Sequence, residues 1–192
     1  MINLFKKSFN FKTIKSAKGF SLVELMVVVA IIGILATMAI PQVTKFMAKA
    51  RQAEAKLLLG SMYTAEKGFY VEHSTYNANF LQIGFSPEGR VRYNGGFVEN
   101  AEDAITALTQ AGVINPDKPA TSISNILEMC KRENSPCKLM SEGEAYTPFN
   151  TEAIVKKEEF IACAGSQLVK DKNDEWIINE KKEISQPQNG LE

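Results

Sequence analysis

From Leu25 to Ile40 the chain reads LMVVVAIIGILATMAI, sixteen residues without a charge. Counting from Phe20 adds Ser21, Leu22, Val23 and one acid, Glu24, for a run of 21 residues. As a helix at about 1.5 Å per residue the run is roughly 31 Å long, which matches a bilayer core of about 30 Å. A secretory signal peptide is the rival reading, but its apolar core is only about 7–15 residues and a small-residue cleavage site follows it. Here the run is longer and ends in Ile40-Pro41-Gln42. Residues 20–40 are therefore expected to stay with the protein as a membrane span.

Beyond the span, residues 41–72 read as an amphipathic continuation of the same helix. At about 100° per residue, Val43, Phe46, Ala50, Leu57 and Ala65 form the apolar side, and Lys45, Lys49, Gln52, Lys56 and Lys67 the polar one. Arg51 and Glu54 sit on the apolar side three residues apart, spaced to pair. Residues 73–192 pattern as a compact α+β head. Ser74–Gly89 is rich in Asn, Ser, Gly and Pro and reads as a loop, and Asn94-Gly95 is a turn signal between short β-prone pieces. Helices are expected over Ala101–Gly112 and Ser122–Glu133, separated by the breakers of Asn115–Pro119. Strands are expected over Glu159–Leu168 and Glu175–Asn179, joined by a turn at Asp171–Asp174, and the polar tail from Ser185 is expected to be loose.

The formal net charge is zero but unevenly spread. Residues 1–19 hold five lysines (Lys6, Lys7, Lys12, Lys15, Lys18) and no acid. Without those five, the 22 basic residues fall five short of the 22 acids. A mildly acidic body offers no electrostatic case for a nucleic-acid partner. The basic stretch before the span orients the N-terminus toward the cytoplasm. One histidine, His73, leaves almost no raw material for a metal cluster or a Ser–His pair. No catalytic residue and no cofactor is expected, and His73 reads as a cap where the long helix should end.

Residues 18–41 read KGFSLVELMVVVAIIGILATMAIP. This stretch resembles the prepilin signature of type IV pilins and the related pseudopilins, in which a basic leader ends in glycine. An apolar residue then begins the mature chain, with a glutamate at its fifth position inside a long apolar run. The similarity is looser over residues 67–89 and around Trp176. The resemblance implies removal of residues 1–19 by cleavage between Gly19 and Phe20, and methylation of the new Phe20 amine. It implies a lollipop-like α+β fold, the second half of the long helix packed on an antiparallel sheet. Its implied partners are a prepilin peptidase/methyltransferase, membrane lipid, an assembly platform in the bacterial inner membrane, and copies of itself in a helical filament at the cell surface.

Each feature also has its own physics. Gly19 has no Cβ, so the scissile bond can lie extended in a protease groove. A charge such as that of Glu24 inside hydrocarbon costs roughly 2.5–3.5 kcal/mol on insertion scales. The Phe20 ammonium four residues away, or that of a neighbouring copy, can offset this cost, and snorkelling to the headgroups is the other reading. The resemblance favours pairing between subunits. Pro41 lacks an amide and crowds the carbonyl of Thr37, costing about 3 kcal/mol within a helix, and Gly33 adds about 1 kcal/mol. A simple proline kink and local unwinding between the two both fit; in pilins this stretch tends to melt on assembly.

The head has three cysteines, Cys130, Cys137 and Cys163. Ser135-Pro136 turns the chain between the first two, and closing so short a loop is worth roughly 2–3 kcal/mol. That bridge is preferred, with a pairing through Cys163 or no bridge left open. Asp171, Asn173 and Asp174 offer oxygens for a calcium ion, as late loops of type II secretion pseudopilins often do, but Lys172 among them favours an ordinary turn. The resulting reading is a structural subunit of a type IV pilus. A pseudopilin of a type II secretion system is the alternative within the family, and a membrane-tethered binding module that never polymerises is the alternative outside it. Glu24 discriminates, because a mere tether gains nothing from a charge in its span.

Overall fold

The computed structural model describes residues 19–115, 123–140, 153–169 and 172–191. The chain divides into two units, one up to Val43 and one from Thr44. In order, its elements are α1 (Leu22–His73), β1 (Gly89–Val91), β2 (Asn94–Gly96), β3 (Glu99–Asn100), α2 (Glu102–Gln110), α3 (Ile126–Cys130), β4 (Cys137–Leu139), β5 (Ile154–Val155), β6 (Ile161–Val169), β7 (Lys172–Asn179) and β8 (Ile184–Gln188). The 52 residues of α1 run through Pro41 without interruption. Ser74 ends the helix by turning to a φ of 54°, its amide bonding to the Tyr70 carbonyl at 2.8 Å. His73 is the last helical residue, as its sequence position suggests, with its ring 4.3 Å from that of Phe69.

In the unit from Thr44, β2, β6, β7 and β8 form one antiparallel sheet in that order. Two short parallel pairs, β1 with β4 and β3 with β5, complete the strands. α1 buries Ala48, Ala55, Leu58, Leu59, Met62, Glu66 and Phe69. This corrects the apolar side expected above, since Val43, Phe46 and Leu57 are exposed. The helix has apolar residues on two faces, and only the path of the sheet decides which one is covered. Gln52 and Lys56, read as polar-side residues, reach toward β7: Gln52 bonds Asp174, and the Lys56 ammonium sits 4.5 Å over the Trp176 ring. The expected Arg51–Glu54 pair does not form. Glu54 accepts from the Arg92 amide at 2.7 Å and lies 3.9 Å from its guanidinium, while Arg51 reaches the Leu168 carbonyl.

Asn94-Gly95 is not a hairpin turn but part of β2, buried throughout and paired with Gly165 and Ala164. The strand presses onto α1 so closely that a Cβ on Gly95 would come 2.7 Å from Met62 Cε. A Cβ on Gly96 would come 2.0 Å from the Ser124 carbonyl oxygen. The glycines permit close packing rather than chain reversal. The helix expected over Ser122–Glu133 shrinks to α3, capped by Asn125, whose side chain accepts from the Glu128 amide; Ser122 lies outside the described residues. Lys172–Asp174 belongs to β7 rather than to a turn. The tail from Ser185 is not loose: β8 pairs with β7, because buried acceptors on β7 hold it.

One bridge closes the head, Cys130–Cys137, and Cys163 stays outside it, buried in β6 with its thiol toward the Gly96 carbonyl. The bridge anchors β4, and β4 holds β1 by a register that pairs Cys137 with Gly89. Reduction is expected to cost about 2 kcal/mol and to speed amide exchange first in β1 and β4, which exchange mass spectrometry reads directly.

Glu66 is fully buried. One carboxylate oxygen accepts from the Asn77 amide at 3.2 Å and the other has no hydrogen-bond partner among the described residues. Desolvation pushes its pKa up to about 8, against the smaller opposing effect of the Asn77 bond. The folded state therefore binds a proton that the unfolded chain, titrating near 4.5, does not hold at neutral pH. The associated stability is complete below about pH 4.5 and is lost as pH rises through about 8. Thermal melts of the detergent-solubilised protein should fall across that window, and Glu66→Gln should flatten the fall; an unchanged slope would refute the assignment.

Candidate functional site

Gly19, Phe20 and Ser21 are non-helical, and α1 begins one residue later at Leu22. The Ser21 amide donates to Glu24 Oε2 at 3.2 Å, and the Val23 amide donates to Ser21 Oγ at 3.3 Å. Together they form a variant of the capping box, Ser-x-x-Glu, in which Ser21 takes the amide of the second rather than the third helical residue, and they satisfy two orphan donors at the helix start. Neither pairing with a Phe20 amine nor snorkelling to the headgroups, the two sequence readings of Glu24, includes this bond, although the four-residue signature is present in the sequence. In the single chain Glu24 thus has a local partner, at the helix end where the macrodipole favours a carboxylate.

Phe20 is 79% exposed, and the large apolar side chains that follow it through Ile40 are all uncovered. Among the described residues one helix, α1, is long and apolar enough to cross a membrane, and its most apolar stretch is unburied. A Cβ at Gly19 or Gly33 would meet nothing within 4 Å, so packing inside the chain requires neither glycine. Near Pro41, Thr37 Oγ1 donates back to the Ile34 carbonyl at 2.7 Å. The helix itself is unbroken between Gly33 and Pro41.

In the head, Asp174 is the focus of the polar contacts. Its Oδ2 accepts from Tyr93 Oη and from Trp176 Nε1, both at 2.7 Å. Its Oδ1 accepts from Gln52 at 2.8 Å, Gln186 at 2.9 Å and the Gly190 amide at 3.0 Å. Burial first, and then the Asp174 contact, push the Tyr93 hydroxyl pKa up. With both oxygens occupied, the calcium reading of Asp171, Asn173 and Asp174 loses its central ligand. Asn173 is exposed, and Asp171 lies outside the described residues. Asp174 instead ties α1, β2 and the C-terminal segment to β7.

Residues 14–40 match a family model, the prokaryotic N-terminal methylation motif. A type IV major pilin, PilE1, of Neisseria gonorrhoeae is 32% identical over 125 residues, covering 63% of this chain and 73% of that protein. The chain belongs to the type IV pilin family. The type IV major pilin PilA of Myxococcus xanthus is 53% identical over 76 residues, which cover 40% of this chain but only 34% of that relative. A fimbrial protein of Neisseria meningitidis is 29% identical over 127 residues, covering 63% of this chain and 70% of the relative. The fold agrees: in this pilin a long N-terminal helix, from Thr44 onward, packs on an antiparallel sheet. These relatives are structural pilins, and this chain is a structural subunit rather than an enzyme.

Proposed function

We propose that the chain enters the inner membrane as a prepilin with its head outside the cytoplasm. A prepilin peptidase/methyltransferase then cuts between Gly19 and Phe20 and methylates the new amine, and an assembly platform adds the subunit to a surface filament. The observation that carries this is an uncovered apolar helix segment whose single charge, Glu24, lies four residues from Phe20 within a matched methylation motif. Cleavage releases the leader charges and creates an α-ammonium beside the helix N-terminus, where the macrodipole disfavours a cation. The Glu24 carboxylate offsets that charge. In a polymer, the ammonium of an incoming copy can meet the Glu24 of its neighbour, which removes two charges from lipid at once.

Extraction from lipid replaces acyl-chain contacts with close packing of Ala, Gly and Val surfaces. Gly33 and Pro41 then mark where α1 gives way on assembly, because a missing amide and a flexible residue lower the cost of opening that stretch. The relatives' names favour a pilus over a secretion pseudopilin. Mass spectrometry of assembled material is expected to find an N-terminal peptide that begins at Phe20 and is one methyl group heavier than the free amine. Met1 retained in filaments, or a cut near Pro41, would exclude the reading.

A further inference from the structure

The sequence holds two Asn-Gly pairs, Asn94-Gly95 and Asn189-Gly190. Such a pair reacts with itself wherever the chain can move. The glycine nitrogen loses its proton to hydroxide and attacks the asparagine Cγ. The Cγ–Nδ2 bond then breaks, ammonia leaves, and a five-membered imide forms. Water opens the imide to an aspartate or, with side chain and main chain exchanged, to an isoaspartate. Glycine favours the attack because no Cβ obstructs it and its backbone turns freely.

The fold treats the two pairs differently. Asn94 and Gly95 are buried in β2, paired with β6 and pressed on Met62, so only general unfolding frees them. Asn189-Gly190 follows β8, the largely exposed edge strand of the sheet, and Asn189 is half-buried. Elements of this kind open locally, well short of global unfolding.

When docked, the second pair is held back. Asn189 Oδ1 accepts from Gln52 at 3.1 Å, Gln186 at 3.3 Å and the Leu191 amide at 3.2 Å. The Leu191 bond folds the side chain forward over Gly190, toward the nitrogen that would attack. That nitrogen is buried and donates to Asp174 Oδ1 at 3.0 Å. A second anion beside this carboxylate is disfavoured, so the docked amide keeps its proton. Gln52 and Gln186 each donate to Asp174 and Asn189 alike, which sets the Asn189 oxygen close to the carboxylate. An acid at position 189 would therefore face Asp174 across shared donors, in a site built for one charge. We infer that Asn189-Gly190 is a self-modifying latch: release from Asp174 starts the imide reaction, and the acid it leaves cannot dock again. The latch opens reversibly until one opening becomes permanent. It is independent of the assembly reading and can be tested on the unassembled chain.

The test holds the detergent-solubilised full chain in mildly alkaline buffer and follows amide-to-acid conversion at both asparagines by peptide mass spectrometry. Asn189 is expected to convert well ahead of Asn94 in the native protein, and the two together in denaturant. Gln52→Ala, which removes one donor from the latch, should speed conversion at Asn189 about fivefold and leave Asn94 intact. Asn189→Asp supplies the product directly: amide exchange over residues 184–191 should quicken about tenfold while that of β2 stays at the wild-type rate. Native conversion at Asn189 no faster than at Asn94 overturns the inference, as does an unchanged rate in Gln52→Ala. Wild-type exchange in Asn189→Asp overturns it too, because the acid would then dock as the amide does.

Discussion

Glu24→Ala is expected to insert in the membrane as well as wild type or better, yet to give almost no surface filaments. Insertion improves because the substitution removes the only charge from residues 20–40, at a gain of roughly 2.5–3.5 kcal/mol on insertion scales. Assembly fails because the incoming Phe20 ammonium loses its partner in a water-free core, where an unpaired charge costs several kcal/mol. The capping box adds a control. Glu24→Gln keeps an acceptor for the Ser21 amide, found at 3.2 Å, but carries no charge. If the cap were the important function, Gln would restore filaments; if the charge is, Gln fails as alanine does. Glu24→Asp keeps the charge one methylene short and should be partly defective. Filament yield at matched membrane levels, with processing followed by mass spectrometry, decides among these. Normal filaments from both Ala and Gln variants would leave the buried pair without a role and favour a simple tether.

Asp174→Ala should produce the largest loss of stability in the head. It strands the Tyr93 hydroxyl, the Trp176 indole N–H and the Gly190 amide, all of which donate to this one buried carboxylate. Breaking such a buried network costs about 3–5 kcal/mol. For a domain of this size that corresponds to a fall of roughly 10 °C in melting temperature. Asp174→Asn should be milder, since Gln52 and Gln186 can turn their amides to meet the new NH2 group, whereas the Gly190 amide cannot. Trp176 is the only tryptophan, so its emission should shift to the red in the alanine variant as β8 and the C-terminal segment loosen. Calcium and chelators should leave the wild-type transition in place; a rise with calcium would restore the late-loop site. Wild-type stability in the alanine variant would show that the five contacts contribute little.

What was legible along the chain was local or compositional. The apolar run from Leu25 to Ile40, the basic leader, Gly19, Glu24 and the end of α1 at His73 follow from hydropathy, spacing and charge, which neighbouring residues carry. The cap is legible too, in the spacing of Ser21 and Glu24. The Cys130–Cys137 bridge followed from the spacing and the intervening Ser135-Pro136, once an oxidising compartment was granted.

The rest depends on which surfaces meet. Both faces of α1 beyond Thr44 carry apolar residues, so periodicity shows a helix but not that Ala55, Leu59 and Met62 are covered while Phe46 and Leu57 are bare. Asn94-Gly95 has the composition of a turn and becomes a strand because Met62 and Leu58 leave no room for side chains there. Asp174 and Gly190 are sixteen residues apart, and Gln52 and Asp174 are 122 apart. No local pattern announces such contacts, because a hydrogen bond at that separation exists only after the sheet has docked on the helix. The sequence alone determined a type IV pilin whose long helix begins with an apolar run, long enough to cross a membrane, that carries one charge. The tertiary structure decided which face of α1 the head uses and which it leaves free, since burial is a property of the partner surface as much as of the residue.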